Sequence, residues 1–222
     1  MWCIQKIDEE YRSRMYDVLD LYQEEYDPQR PVICVDEKSK QLLEQVRETI
    51  PGRPGKPEKV DYEYKRNGTR NIFVAVEPLA GSRKVSVTKT RKKSDFAMFM
   101  KELSESPSYR EAETLRIVLD NLNTHFEKSF YETFGKKEVE RILARIEFHY
   151  TPKHASWLNM AEIEINALEE ECLRRRIATA ELLESEVCAC VEMRNKKNRK
   201  IVWTFTRQDA DKKLSKHYVQ NL

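Results

Sequence analysis

Two aspartates stand where an apolar run gives out. Val32-Ile33-Cys34-Val35 leads into Asp36, and Leu115-Arg116-Ile117-Val118-Leu119 leads into Asp120. Ligands of an open α/β sheet collect outside the carboxyl ends of its strands. If these two strands are parallel neighbours, their terminal carboxylates face each other, which is unfavourable unless a cation or a proton lies between them. A hard divalent ion such as Mg²⁺ suits that place, because it takes oxygen ligands, commonly one or two carboxylates completed by phosphate and water. A third acid from the helical stretch that begins near Leu158 would let the site hold two ions. Two ions about 3.5 to 4 Å apart activate an attacking oxygen and stabilise the leaving oxygen in phosphoryl transfer. Glu162 and Glu164 are both available, but they project about 200° apart on a helix, so only one can face the site. Glu37 follows Asp36, and strand alternation sends it to the other face. The competing reading is that both aspartates stabilise turns or cap helices, as Asp commonly does after a strand.

The elements that would position these acids follow from hydrophobic period and turn residues. Ile7, Tyr11, Met15, Val18, Leu19 and Tyr22 recur at three- and four-residue steps, which predicts an amphipathic helix that stops before Asp27-Pro28. A buried strand over 31–35 ends at Asp36-Glu37-Lys38. The Pro- and Gly-rich stretch 51–57 breaks regular structure. A β-meander over 62–64, 71–76 and 84–90 comes next, with turns at Asn67-Gly68 and Gly81-Ser82. Ser94 is the expected N-cap of a helix over 95–103. A strand over 115–119, a helix over 136–146 and a third central strand over 148–150 follow, and after the turn Thr151-Pro152-Lys153-His154 come helices over 158–174, 178–195 and 207–214. This order indicates an α/β chain with a mixed sheet flanked by helices.

Composition narrows the class. The 222 residues allow one sizeable core. With 40% hydrophobic residues and a net charge of only +2, the chain is unlike a disordered one, and no apolar run approaches the ~20 residues of a membrane span. Met1-Trp2-Cys3-Ile4 runs straight into charged residues, without the pattern of a secretory signal. Five cysteines without a Cys-x-x-Cys pair argue against a disulfide framework or zinc ribbon and make the cytoplasm the expected compartment; Cys188 and Cys190 point to different sides of a helix, which disfavours a metal site with His217. The near-neutral total conceals a mosaic: residues 1–50 hold 7 Lys and Arg against 12 Asp and Glu, residues 51–100 hold 12 against 5, and residues 191–222 hold 9 against 3. Lys89, Arg91, Lys92 and Lys93 form one basic cluster, and Arg194, Lys196, Lys197, Arg199 and Lys200 form a second. Such patches attract a polyanion that has condensed counterions, although a solvated helix face is the simpler reading of either alone.

Three segments resemble the signature blocks of DDE transposases, most closely the bacterial insertion-sequence branch related to mariner elements. They are Val32-Ile33-Cys34-Val35-Asp36-Glu37-Lys38; Ile117-Val118-Leu119-Asp120-Asn121-Leu122-Asn123-Thr124-His125; and the stretch from Phe148 through Thr151-Pro152-Lys153-His154 and Ser156-Trp157-Leu158-Asn159 to Glu162. The resemblance extends from about Trp2 to Tyr218, and its third block is the most specific. It implies an RNase H-like fold of about five strands, with Asp36, Asp120 and Glu162 as catalytic acids that bind two Mg²⁺ or Mn²⁺ ions. In that family the ions drive cleavage at transposon ends and joining of the freed 3′-hydroxyl to target DNA. The resemblance therefore also implies transposon ends and target DNA as partners, a homodimer on DNA, no membrane, and a place at the bacterial nucleoid. Glu162 fits the family's spacing after Leu158-Asn159. The 41 residues between the second and third acids exceed the gap of compact relatives, which implies an extension around residues 127–145.

His154 is a candidate for orienting a phosphate or water, and Asn121 or His125 for holding the second Asp in place. Trp157 reads as a core anchor for the helix start. Relatives carry helix-turn-helix modules before the catalytic domain; here residues 1–26 read as a connecting helix and 27–222 as the catalytic domain, with no helix-turn-helix module before Asp36. The alternatives are a non-catalytic DNA-binding or dimerisation remnant, and a nuclease of the same fold that hydrolyses DNA without joining it.

Overall fold

Asp8 opens the first helix by accepting the Tyr11 amide at 2.8 Å, in a computed structural model that describes residues 6–59 and 61–219. Cys3 and the first five residues therefore lie outside the described part, with the start of the proposed connecting segment. Helix α1 (Glu9–Leu21) buries Met15, Val18 and Leu19 against Cys34 and Val118 of the sheet, so it belongs to the same core as the strands.

The sheet has five strands in the order β3-β2-β1-β4-β5: β1 (Val32–Gln45), β2 (Tyr64–Glu77), β3 (Ser82–Thr88), β4 (Leu115–Leu119) and β5 (Ile146–Tyr150). β1 and β4 are parallel, as are β4 and β5, while β2 is antiparallel to both β1 and β3. On one face, Ile33, Val35, Phe73, Ile117 and Leu119 meet helix α2 (Lys93–Ser104) and the short helices α3 (Lys128–Tyr131) and α4 (Lys136–Leu143). Phe73 stacks on Phe99 there at 5.4 Å, and each such buried ring contributes roughly 1.5 to 3 kcal/mol. The other face is covered by α1, α5 (Ala161–Leu168), α6 (Ala180–Lys196) and α7 (Arg207–Leu214). The expected mixed sheet flanked by helices is present.

Several local expectations change. β1 does not end at Asp36 but continues to Gln45, because β2 supplies an antiparallel partner as far as Tyr64. Asn67-Gly68 is no turn: it forms a bulge inside β2, where Gly68 takes a φ of 95° and the register slips opposite Leu42. Lys92, not Ser94, caps α2, and the Asp95 carboxylate accepts the Lys92 amide at 2.8 Å. β5 lies at the sheet edge and is not central. The helix expected over 136–146 stops at Leu143, and the one over 158–174 divides into a 3-10 turn (Ser156–Leu158), α5 and a π turn (Glu169–Leu173). Gly81, in the β2–β3 turn, has a φ of 67°, and a Cβ on it would stand 2.4 Å from Oδ1 of Asn198, itself left-handed at 45°. None of the described helices is long and apolar enough to cross a membrane.

Candidate active site

β1 and β4 pair Val32 with Arg116, Ile33 with Ile117 and Cys34 with Val118. Continued by two residues, that register sets Asp36 beside Asp120, which directly follows β4. Glu162 enters from the first turn of α5. Asn159 joins the two parts: its Nδ2 donates to the Val35 carbonyl at 2.9 Å and lies 3.4 Å from Oδ2 of Asp36, while its Oδ1 accepts the Ala161 amide at 3.1 Å. A single buried amide thus ties the start of the Glu162 helix to the Asp36 strand. Nothing in the sequence expectations above assigns Asn159 a role, although an Asn just before a helix is a recognisable capping signal.

The carboxylates are not electrostatically equivalent. Burial, the largest cause, pushes the Asp36 carboxyl up to about 7; the Glu37 amide at 2.8 Å opposes it, and the negative charges of Glu37, Glu162 and Asp120 reinforce it. Asp120 goes the other way. Burial would raise its carboxyl too, but the hydrogen bond and charge of His125, helped by the Leu122 amide and Arg91, hold it below the usual range. His125 is itself held up at about 9: burial disfavours its charge, and Asp120 and Glu37 together overcome that. Its Nδ1 is 2.7 Å from Oδ1 of Asp120. Among the described residues, no three His, Cys, Asp or Glu side chains stand close enough to hold a metal ion as they are placed. Asp36, Asp120 and Glu162 converge but do not close into a cage.

Of the remaining candidates, Asn121 turns away from Asp120: it accepts from the Arg14 guanidinium and donates to the Thr151 carbonyl, linking α1 to the end of β5. Arg14 was not anticipated. His154 is exposed, with a φ of 61°, and borders a polar cleft with Lys6, Arg14 and Lys153. Trp157 is 44% exposed and packs on Trp203 and Phe205 at the surface, not in the core.

The basic clusters divide. Lys89, Arg91 and Lys92 are exposed, and Lys93 pairs with Glu132 at 2.7 Å. In the second cluster Lys196, Lys197, Arg199 and Lys200 are exposed, whereas Arg194 is buried against Glu164 at 2.7 Å and Glu171 at 2.6 Å, and cannot reach a ligand at the surface. Glu164, expected to face solvent or to pair with a basic neighbour, does the second: it is wholly buried against Arg83 and Arg194.

Residues 31–184, the stretch that contains all three converging acids, match the family of DDE superfamily endonucleases. The chain belongs to that family. The fold of this DDE-family chain is similar to that of the mariner Mos1 paired end complex with Mg, at 15% identity and a TM-score of 0.56, covering 99% of this chain and 66% of that one. The Mos1 mariner paired end complex with Mn is similar at 14% identity and a TM-score of 0.54, with 89% and 63% covered, and so is the Mos1 strand transfer complex at 13% and 0.54, with 89% and 62% covered. The sheet and its helices are thus the RNase H-like fold of those catalytic domains. The chain spans just under two thirds of their length. No curated protein matches the sequence.

Proposed function

We propose that this chain is the catalytic part of a transposase, cutting DNA at transposon ends and joining the freed 3′-hydroxyl to target DNA, with Asp36, Asp120 and Glu162 as the acids that hold two Mg²⁺ or Mn²⁺ ions. The observation that carries this reading is the approach of two carboxylates, Asp120 at the β4 exit and Glu162 on α5, to a partly buried Asp36 on β1 that pairs with no basic side chain among the described residues. The donor set is all oxygen, which suits a hard divalent ion, and such an ion would offset the burial and the repulsion that together raise Asp36. When bound, the ions would activate the attacking oxygen and stabilise the leaving one. The chain's own residues do the rest. Asn159 aims Asp36, His125 holds Oδ1 of Asp120, and the exposed residues Lys89, Arg91, Lys92, Lys196, Lys197, Arg199 and Lys200 supply positive charge for the DNA backbone. In keeping with this reading, the active species is a homodimer on DNA.

The test is Mn²⁺-dependent nicking and joining of end-bearing DNA by the purified protein. Asp36→Ala or Asp120→Ala should reduce both below about one hundredth of wild type, beyond the usual cost of losing only a ligand's supporting partner. Undiminished nicking by either variant would sink the assignment. Hydrolysis without joining would make the chain a nuclease of the same fold, and salt-sensitive DNA binding without cleavage under any metal would make it a binding remnant.

A further inference from the structure

Glu37 follows Asp36 in β1, and its side chain turns to the opposite face of the sheet, where it is 5% exposed. A carboxylate buried that deeply is expensive unless other groups answer its charge. Two do. Oε1 stands 3.5 Å from the guanidinium of Arg91, and Oε2 stands 3.1 Å from Nε2 of His125. Oε2 and Nε2 have no hydrogen-bond partner of their own among the described residues, so their mutual approach is an ion contact lying off the line of a hydrogen bond. The imidazole has little freedom: its side chain is 1% exposed, its ring packs on Phe96 at 4.6 Å, and its carbonyl accepts the Tyr150 hydroxyl at 3.0 Å. Its other nitrogen meets Oδ1 of Asp120, which also accepts the Leu122 amide at 3.0 Å, so both bonds fall on one oxygen and neither on Oδ2.

We propose that Glu37 is a positioning residue for the carboxylate site, fixing Asp120 relative to β1 through His125 and leaving Oδ2 of Asp120 for a divalent ion. Asp36 stands within a paired strand and has Asn159 beside it, whereas Asp120 sits where β4 gives way to a loop. Ligands on loops are held less tightly than ligands on strands unless supporting contacts lock them. Strand β1 then sets both acids, Asp36 directly on one face and Asp120 indirectly from the other. This inference rests on the metal reading above, and its experiment separates the two.

The measurement is Mn²⁺ affinity by proton-relaxation titration of the full chain, well below its melting temperature and without DNA or turnover. Glu37→Leu keeps the bulk but gives Nε2 nothing to meet, and it should weaken Mn²⁺ binding about tenfold, as losing a partner of a metal ligand does. Glu37→Gln keeps an oxygen opposite Nε2 and should stay within about twofold of wild type. A folded Glu37→Leu that binds Mn²⁺ as wild type does, or a Glu37→Gln that loses as much as Glu37→Leu, overturns the proposal. Should Glu37→Leu not fold, His125→Asn, too short to span both carboxylates, carries the same expectation and is overturned by the same unchanged affinity. Asp36→Asn and Asp120→Asn in the same titration distinguish the two levels: wild-type Mn²⁺ binding by these variants removes the metal site itself, whereas its loss in them alone removes only the role of Glu37.

Discussion

Glu162 and Glu164 stand two residues apart on α5 and meet opposite surroundings. Glu164 is fully buried between Arg83 at 2.8 Å and Arg194 at 2.7 Å, and Arg83 also donates to the Gly81 carbonyl at 2.7 Å and to that of Arg199. This network ties α5, β3 and the end of α6 together, and its charges are answered from within the protein. Glu162 is partly exposed and adds its charge to that of Asp120 and Glu37 around the raised carboxyl of Asp36; His125 and Arg91 answer Asp120 and Glu37, but among the described residues no basic side chain pairs with Asp36 or Glu162. Burial alone does not mark a functional acid. What separates Glu164 from Asp36 and Glu162 is whether the protein supplies the counter-charge or leaves it to a ligand.

That contrast breaks if the variants respond alike. The largest effect is expected from Glu164→Ala, which leaves the buried Arg83 without a carboxylate and Arg194 with Glu171 alone, and should cost about 3 to 5 kcal/mol in urea unfolding. A loss under about 1 kcal/mol would show that the network is not structural. Asp36→Asn should act in the opposite direction. A carboxyl raised from 3.8 to about 7 in the folded chain opposes folding increasingly as pH climbs through that interval, and the full penalty applies above it. Removing the charge should therefore stabilise the protein by up to about 4 kcal/mol at pH 8 and by almost nothing near pH 4. Equal gains at both pH values would separate the effect from ionisation.

Smaller still is the effect of metal on stability. At ten times its dissociation constant, Mn²⁺ should stabilise the wild-type chain by about 1.4 kcal/mol, and it should leave Asp36→Asn and Asp120→Asn unmoved. Thermal unfolding with and without Mn²⁺ reads this directly. The smallest change is expected for Glu162→Gln, within about 0.5 kcal/mol of wild type without metal. Its contrast with Glu164→Ala, on one helix and with one residue type, is the sharpest form of the comparison.

How much was legible depended on whether the signal was local. β4 and α7 have the bounds that the sequence predicts, since an unbroken apolar run sets the one and a Thr206 capping box opens the other. The parallel pairing that brings Asp36 to Asp120 follows from two buried runs that each lead to an acid. By contrast, β1 was read too short, because its polar half is held by pairing with β2 and carries no apolar pattern. The same limit applies to charge. Arg194 sits in a basic run that looks like a solvated face, and only the fold brings Glu164 and Glu171 to it. Nothing local joins Glu37 to His125 either, because they meet across 88 positions of sequence.

The close fit of Gly81 against Asn198 has a consequence for descent. Both residues hold left-handed backbone, and the space that a Cβ would need at position 81 is already taken. A side chain there would have to turn the Asn198 side chain aside and press its backbone back by a few tenths of an ångström, so drift away from glycine is easiest once position 198 has changed. Positions 81 and 198 are therefore expected to change together: relatives that keep glycine can keep this seat for Asn198, and those that carry a side chain are expected to differ at position 198.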